Sequence, residues 1–364
     1  MALNQLKNTE EAMNGKMIRT FLGANSKDGF KSLFAELEGG ADAYIIKGGP
    51  GTGKSSFMKK FASKAFAKGC FTEYIYCSSD PDSLDGVAVD ALNMYMADGT
   101  APHTIEPKYP GAAGEIINLG ACWNDKLLRR SKDDVKMLSG KISSCFAQGY
   151  RYLSAAGSLV SDISACARAH LDTEKLEKFT SGFITRNIPQ REGSGRIKTR
   201  FLSGITPKGY ITFKDTVYTL CDRLFTVGDR FFSSDVILSK IRDAAAKNGY
   251  TVWDFRSPLD PEKSEHIVIE ELGLGIATNN VFCRFDTLAA YSINFSRFIS
   301  EDITQHSKKL KFSARMLKLC VDEAVNSFVT AKSLHDDLEE IYIQAMDFSK
   351  TDKILEEYAK KILK

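Results

Sequence analysis

The sequence predicts an α/β protein made of two tandem parallel-sheet halves, each followed by a helix-rich segment. An apolar run, a glycine-rich loop and an amphipathic helix follow one another at residues 42–69, and the same order returns at 222–249. Strands that alternate with helices of this length favour a parallel sheet covered by helices. A chain of 364 residues is long enough for two such halves.

The composition is that of an ordinary globular protein, with 43% hydrophobic and 26% charged residues, and the net charge of +3 does not favour a nucleic-acid partner. No apolar leader and no long apolar run occur, so we expect neither a secretion signal nor a membrane span. Eight scattered cysteines without a C-x-x-C pair are typical of free thiols and predict a cytoplasmic protein. The five histidines lack the usual metal-binding spacings, which predicts no zinc site.

The glycine-rich loop has the Walker A spacing G-x-x-x-x-G-K-[ST]. Its glycines allow backbone N–H groups to approach phosphate oxygens, its lysine reaches the β- and γ-phosphates, and the next hydroxyl ligates Mg²⁺. We therefore expect a nucleotide and Mg²⁺ as ligands. The predicted binding residues are Gly48, Gly49, Pro50, Gly51, Thr52, Gly53, Lys54, Ser55 and Ser56.

The surroundings of this loop agree with the motif. Residues 43–46 predict a buried strand, and apolar residues at helical spacing predict a helix over 54–68 that Gly69 ends. Strand, loop and helix in this order place the helix N-terminus at the anion, where its N–H groups and its dipole favour negative charge.

The halves align without a gap over about 78 positions when the chain is shifted by 180 residues. Each half then predicts a first strand (43–47; 223–227), a helix (54–68; 234–247), a second strand (72–77; 251–255), an irregular Asp-Pro loop and a third strand (about 92–97; 272–277). Helical segments follow at 124–182 and about 298–364. We expect a first domain at 1–185, a linker at 186–200 and a second domain at 201–364.

The second half lacks the phosphate-binding residues. The gapless alignment places Phe231, Phe232, Ser233, Ser234 and Asp235 under the stretch from Gly51 to Ser55. The lysine is missing and a carboxylate replaces the magnesium-binding hydroxyl, so the sequence predicts a degenerate loop. We expect the two phenylalanine rings to fill the vacated loop or to pack on the other half.

Asp98 follows the third predicted strand, at the position of the acid that holds Mg²⁺ in P-loop proteins. Its counterpart is Thr278, so the half that lost the lysine also lost this acid. We predict Ser55 and Asp98 as metal ligands, and Lys54 and Asp98 as catalytic residues. Asp80 is the alternative for this acid, but it is retained as Asp260 in the half without the lysine, which favours a role in the turn before proline.

Two further sets of residues are weaker candidates. Asp82 and Asp85 are weaker alternatives to Asp98 as the magnesium-binding acid, since PDSLD also predicts a turn that leads to a helix N-cap. The Gly- and Pro-rich stretch at 99–120 follows a strand end, where open α/β sheets bind ligands. We predict that His103 in this loop positions a water molecule or senses the γ-phosphate, with an ordinary loop residue as the alternative.

The stretches KGGPGTGKSS, CSSDPDSLDG, ADGTAPH and KYPGAAGEIINLG, with TPKGY opening the second half, resemble a group of bacterial proteins built from two tandem P-loop halves. Those proteins are described as ATP-binding proteins, ATPases or nucleotide kinases. The resemblance implies a P-loop NTPase fold in each half and ATP with Mg²⁺ as the ligand. The second loop, GDRFFSSD, departs from the family's pattern.

Three functions fit these residues. The first is an ATPase that moves one half against the other, and it is the one we favour. The second is a kinase that phosphorylates a small molecule or a nucleotide. The third is a non-catalytic protein whose helical segments bind a protein partner under the control of nucleotide. All three need Lys54, Ser55 and Asp98, so the motif does not distinguish them.

Overall fold

A computed structural model describes residues 15–38, 41–100, 104–285 and 289–363. The protein is mixed α/β. The first half of the chain contains β1 (Met17–Phe21), β2 (Gly23–Ser26), β3 (Gly29–Ser32), β4 (Asp42–Lys47), α1 (Lys54–Ala67), β5 (Thr72–Tyr76), β6 (Leu84–Val89), β7 (Met94–Asp98), β8 (Gly114–Asn118), α2 (Asp125–Arg130), α3 (Lys132–Arg168) and α4 (Thr173–Asn187).

The second half contains the same elements in the same order, except that α5 replaces a short 3₁₀ turn and a 3₁₀ turn replaces α2. They are β9 (Arg196–Phe201), β10 (Ser203–Thr206), β11 (Gly209–Thr212), α5 (Lys214–Leu220), β12 (Arg223–Gly228), α6 (Asp235–Lys247), β13 (Thr251–Arg256), β14 (Ser264–Ile269), β15 (Leu274–Asn279), β16 (Ala289–Asn294), α7 (Ser307–Ile343) and α8 (Phe348–Ile362).

Left-handed backbone positions also recur between the halves. Gly29 and Gly209 have φ of 94° and 97°, Gly69 and Gly249 have 82° and 89°, and Asn93 and Gly273 have 46° and 52°. Such values are rare for residues with a side chain. Their recurrence at turns of the same kind supports the internal repeat that the sequence indicates.

The contacts divide the chain into two interleaved units. Unit 1 comprises Met1–Gly23, Ser32–Ala147 and Ser327–Lys364, and unit 2 comprises Ala24–Lys31 and Gln148–Asn326. This division differs from the sequential domains and the linker at 186–200 expected above. Of that predicted linker, the first two residues end α4 and the last five begin β9.

Within the described residues, unit 1 has six sheet strands in the order β1-β5-β6-β7-β4-β8. Neighbouring strands are parallel except at β6, which is antiparallel to β5 and β7. The strand that precedes the glycine-rich loop, β4, therefore lies between β7 and β8. Its carboxyl end and that of β7 are at the same edge of the sheet.

Unit 2 repeats this arrangement in the part of it that the structure describes. Its strands follow the order β9-β13-β14-β15-β12-β16, with β14 antiparallel to both neighbours. β12 thus lies between β15 and β16, as β4 lies between β7 and β8.

In each unit, the helix after the loop is buried on two sides. In unit 1, Phe57, Met58 and Phe61 of α1 belong to one apolar cluster with strand residues and with Leu355 and Ala359 of α8. In unit 2, the apolar face of α6 belongs to a cluster with Leu176 and Phe183 of α4. α8 and α4 are each 15 residues long and follow helices of 37 residues. They therefore cover corresponding surfaces.

The sequence prediction missed several strands. The stretch expected to be an irregular Asp-Pro loop is a short turn followed by β6 and, in unit 2, β14. All six residues of each of these strands are buried, so neither shows the alternation that marks a half-exposed strand. The stretch 99–123 also contains β8, and the hairpins before β4 and β12 were not predicted.

The gapless alignment is wrong by one residue at the loop. In the sheet of unit 1, Asp42 pairs with Met94. In unit 2, the counterpart of Met94 is Leu274, and its partner is Arg223 and not Asp222, which the gapless alignment places under Asp42. In the helices, however, the buried face that starts at Phe57 corresponds to one that starts at Ile237. The two loops have the same length, 48–53 and 229–234, but the second half is one residue shorter between the strand and the buried face of the helix. Asp229, rather than Gly228, takes the place of Gly48 after the strand.

No helix among the described residues is both long enough and apolar enough to cross a membrane.

Two glycines of the long helix α3 provide a matched test of the packing in unit 2. A Cβ atom on Gly140 would meet nothing within 4 Å, whereas one on Gly157 would lie 2.5 Å from Cβ of Lys27 in the β2–β3 hairpin. We expect Gly140→Ala to raise the free energy of unfolding by about 0.5–1 kcal/mol, since alanine is the better helix former. We expect Gly157→Ala to lower it by about 1–3 kcal/mol, because the hairpin must shift.

Denaturant unfolding of the two variants measures both effects. A stabilising Gly157→Ala substitution would show that the hairpin does not pack against α3 as described.

Candidate functional site

The candidate site is the loop Gly48–Gly53 between β4 and α1. Gly51 and Gly53 have φ of 64° and 87°, which a residue with a side chain rarely adopts, so the loop geometry depends on glycine there. The Thr52 side chain is fully buried, and its Oγ1 donates a hydrogen bond to the carbonyl of Gly49 at 2.8 Å. The loop is thus a compact turn whose backbone leads directly into the first turn of α1.

Lys54 folds back over this loop. Its Nζ donates to the carbonyl oxygens of Gly48 at 3.0 Å and Gly49 at 2.7 Å, and it lies 3.5 Å from Oδ2 of Asp98. The parallel pairing of β4 with β7 brings Asp98, the last residue of β7, to the loop. The structure therefore brings together the lysine and the acid that the sequence predicts, although they are far apart in the chain.

Asp98 is held by neighbouring groups. Its Oδ1 accepts the N–H of Thr100 at 2.8 Å, and Oγ1 of Thr100 donates to the carbonyl of Gly48 at 2.8 Å. Burial raises the pKa of Asp98, and the Lys54 ammonium opposes this effect. A mostly buried carboxylate with one cationic partner is a site where a divalent cation would add favourable charge.

Asp85 is a second buried acid in this region, and the sequence prediction placed it wrongly. It lies on β6, not in a turn before a helix, and it is 5% exposed. Its charge contributes to the raised pKa of Asp98. The counterpart of Asp85 in unit 2 is Glu265, also buried, so the acid is retained where the Walker lysine is lost. Because its strand was not predicted, the sequence pattern marked Asp85 only as a weaker candidate.

Ser55, the predicted magnesium ligand, lies in the first turn of α1. Its Oγ accepts the N–H of Leu84 at 2.9 Å, which ties the helix start to the start of β6. One lone pair of the hydroxyl oxygen remains for another partner. Of the other predicted binding residues, Pro50 is half-buried in the loop and Ser56 is exposed on α1.

The end of α7 and the start of α8, both within unit 1, cover the loop. The N–H of Gly51 donates to Oε1 of Glu339 at 3.2 Å. A Cβ atom on Gly49 would lie 2.5 Å from the ring of Tyr342, and one on Gly53 would lie 3.4 Å from Phe348. A protein carboxylate thus receives a loop N–H of the kind that a phosphate oxygen would need.

A cleft of about 230 Å³ lies beside the loop, between α1 and α8. Gly53, Ser56, Lys60, Phe348 and Asp352 are among the residues that line it. This volume is below the roughly 300–1,000 Å³ of typical ligand pockets. The cleft in this state is therefore small for a complete nucleotide.

Asp80 makes the contacts of a turn residue. Its carboxylate accepts from Oγ of Ser83 at 2.8 Å and from the N–H of Asp82 at 3.3 Å, and it lies 3.6 Å from Nζ of Lys332. These bonds agree with the turn role predicted for it. His103, the other predicted catalytic residue, lies outside the described residues.

In unit 2, the corresponding loop contains its own anion. Asp229 is 1% exposed, and its carboxylate accepts the N–H groups of Phe231 at 2.8 Å, Ser233 at 2.6 Å and Ser234 at 2.6 Å. These donors lie at the N-terminal end of α6, where a phosphate would otherwise bind. The sequence prediction missed this role because the gapless alignment placed Gly228 at the start of the loop.

The phenylalanines of this loop behave differently from one another. Phe231 is 3% exposed, with the Arg230 guanidinium 4.6 Å from its ring centre. Phe232 is half-buried, with its ring 6.4 Å from that of Phe282, and it has φ of 55° at the loop position of Gly51. The burial expected for both rings is therefore complete only for Phe231, and Asp229 is the group that occupies the anion position.

The space beside Asp229 is small and acidic. It measures about 30 Å³, enough for about one or two water molecules. The carboxylates of Asp229, Asp235, Asp260 and Glu265 line it, together with one cation, Lys263. While the Asp229 carboxylate is present, both the size of this space and its excess of negative charge oppose the binding of a nucleotide phosphate.

We expect Asp229→Ala to lower the free energy of unfolding by at least about 2 kcal/mol, because it leaves buried N–H donors without an acceptor. Inorganic phosphate should restore part of this loss by entering the vacated position. Urea unfolding with and without phosphate measures both effects, with the exposed α6 substitution Asp243→Ala as the matched control. Equal stabilisation of the wild type and Asp229→Ala by phosphate would contradict the assignment.

Comparisons with protein-family models, with curated proteins and with solved structures find no match to this chain. The resemblance to tandem P-loop proteins therefore remains an expectation, and any function has to be inferred from the residues of the site.

Proposed function

We propose that the protein binds a nucleoside triphosphate, with ATP as the expected ligand, together with Mg²⁺ at the loop Gly48–Ser55, and that it hydrolyses the nucleotide. In this proposal both halves are P-loop domains, and only the first half binds nucleotide. Lys54 contacts the β- and γ-phosphates, while Ser55 and Asp98 hold the magnesium ion directly or through water.

The single observation that carries the proposal is the convergence of Lys54, the loop carbonyls and Asp98 at the edge where β4 and β7 end. A Walker A sequence alone can occur by chance. An acid brought to the same lysine by a neighbouring parallel strand is an independent feature that phosphoryl transfer requires.

The covered loop favours hydrolysis that is coupled to movement. Glu339 holds the N–H of Gly51, and Tyr342 and Phe348 lie against the loop. A triphosphate carries several negative charges and would repel Glu339. Binding therefore requires the end of α7 to move or to change its side-chain contacts, and hydrolysis would allow it to return. Displacement of a segment by the γ-phosphate is a common switching mechanism of nucleotide-binding proteins.

Phosphate release and nucleotide stoichiometry test the proposal. We expect about one bound nucleotide per chain in calorimetry with a non-hydrolysable ATP analogue and Mg²⁺. Lys54→Ala should lower turnover about 10²-fold or more, since it removes a donor to the transferring phosphate. Lys64→Ala, which changes an exposed lysine of the same helix, is the matched control. Two nucleotides per chain, or normal turnover of Lys54→Ala, would contradict the proposal.

Asp98→Asn should retain most nucleotide binding but little turnover, because it weakens the hold on Mg²⁺. Its fold should survive. The folded-state pKa of Asp98 is raised, so its ionised form costs stability at pH values above that pKa, and asparagine removes this cost. Unfolding at pH 7 should therefore show equal or greater stability, which separates a loss of catalysis from a loss of structure.

The kinase alternative has its own test. Repeating the turnover assay with a panel of nucleosides and nucleotides identifies a phosphoryl acceptor, if one is used.

Glu339→Gln tests the coupling to α7. Removing the negative charge near the phosphates should tighten binding of the ATP analogue about five- to tenfold, which corresponds to roughly 1 kcal/mol for one charge pair in a partly exposed site. The neighbouring Glu340→Gln is the control, because Glu340 contacts Gln344 on its own helix. Unchanged or weaker binding by Glu339→Gln would mean that Glu339 does not compete with the phosphates.

A further inference from the structure

A cysteine and two histidines converge in unit 2, far along the chain from the Walker motif. They are Cys166, near the end of α3, His170, two residues after α3 ends, and His306, immediately before α7 begins. All three are half-buried, and each offers one potential ligand atom within 4.8 Å of the other two. The sequence prediction found no zinc site because it considered histidine spacings and not the C-x-x-x-H spacing of Cys166 and His170.

Backbone contacts hold the three residues in place. Leu171 and Ile299 form an antiparallel bridge, the N–H of Ser300 donates to the carbonyl of His170 at 2.8 Å, and the N–H of Asp172 donates to Phe298 at 2.8 Å. One helical turn before Cys166, Asp162 forms an ion pair with Lys309 at 2.7 Å. These contacts hold the segment with Cys166 and His170 against the segment that leads to His306.

One ring nitrogen of His170 has a backbone partner, which leaves the other for a metal ion. Its Nδ1 lies 2.9 Å from the carbonyl oxygen of Cys166. Donation from Nδ1 to that carbonyl leaves a lone pair on Nε2, which is the usual arrangement of a histidine that binds a metal. The bond also places Cys166 and His170 on the same face at the end of the helix.

The spacing of the two imidazole rings fits a tetrahedral ion. Zinc binds imidazole nitrogen at about 2.0–2.1 Å and thiolate sulfur at about 2.3 Å, so two imidazole rings on one tetrahedral ion have their centres about 5 Å apart. The rings of His170 and His306 are 5.1 Å apart at an angle of 69°. The ligand atoms lie within 4.8 Å of one another and would have to approach to roughly 3.5 Å to bind one ion.

The repeated architecture gives an internal comparison. Unit 1 contains the same kind of bridge, between Trp123 and Met346. The positions that correspond to Cys166 and His170, counted from that bridge, are Ile341 and Ala345. The bridge therefore forms without a thiol or an imidazole, and the packing of the repeat does not explain the presence of these side chains in unit 2.

We propose that Cys166, His170 and His306 bind a zinc ion, with water as the fourth ligand. One thiolate and two imidazoles form a ligand set that suits Zn²⁺ and its spectroscopic substitute Co²⁺, and that excludes Mg²⁺, which prefers oxygen. Binding releases the thiol proton to solvent and links the end of α3 to the segment that begins α7. This site is independent of the proposed nucleotide site.

Titration of the full-length chain with Co²⁺ under reducing conditions tests the proposal. We expect one equivalent to produce a sulfur-to-cobalt charge-transfer band and a tetrahedral visible spectrum, and Zn²⁺ to displace it. Cys166→Ser should abolish the charge-transfer band, and His306→Gln should weaken binding at least tenfold. Cys145→Ser, which changes another half-buried cysteine of α3, should leave both unchanged.

Zinc should also raise the unfolding temperature of the wild type but not of Cys166→Ser, since a ligand that binds only the folded state stabilises it. Circular dichroism establishes that the variants are folded. The absence of a thiolate band at one equivalent, or a band that persists in Cys166→Ser, would overturn the assignment. The other cluster of potential ligands in the described residues, His335, Asp336 and Glu339, contains no sulfur and cannot produce that band.

Discussion

The requirement to satisfy the free N–H groups before α1 and α6 organises both units. A strand that turns abruptly into a helix leaves several amide donors directed at one point, and the helix dipole adds positive potential there. Unit 2 meets this requirement with Asp229, which is part of the loop. Unit 1 meets part of it with Glu339, which comes from another helix. The anion of unit 2 is therefore part of its own loop, whereas the anion of unit 1 belongs to a separate segment of the chain.

This difference follows from a few residues. After the strand, unit 1 has Gly48 and a loop with two left-handed glycines, whereas unit 2 has Asp229 and a loop of the same length that contains no glycine. The sheet order and the cover of each helix are the same in both units. The two units therefore differ in the loop before the helix, while the apolar framework around it is the same.

The sequence predicted the parts of the fold that have strong local patterns. The apolar run AYII predicted β4, and the helical spacing of apolar residues with the glycine at the end predicted α1, each to within one residue at its ends. The end of the third predicted strand marked Asp98. The strands β6 and β14 were missed because every residue in them is buried, so they lack the alternation of apolar and polar residues, and because each follows a turn. The cover of α1 by α8 was not predictable, since it joins residues separated by most of the chain and depends on tertiary packing.

The site shows the same limits. Lys54 and Asp98 could be paired from sequence because a motif and a strand end mark their positions. Glu339, Tyr342 and Asp229 carry no motif, and only the folded chain brings them to the loops. The Cys166 cluster lies in two stretches that have no sequence pattern in common. Residues that act through proximity alone are therefore the part of the site that a single sequence does not reveal.

The interleaving of the units has a consequence for the order in which the protein matures on the ribosome. α1 ends at Ala67, but α8, which covers its second apolar side, begins at Phe348. At about 5–20 residues per second, the intervening chain takes on the order of tens of seconds to synthesise. Unit 2 has all its residues once Asn326 has been made, whereas unit 1 must wait for the final segment. The nascent first half therefore exposes an apolar face of α1 through most of translation. During this period we expect a chaperone that binds exposed apolar surface to prevent its aggregation.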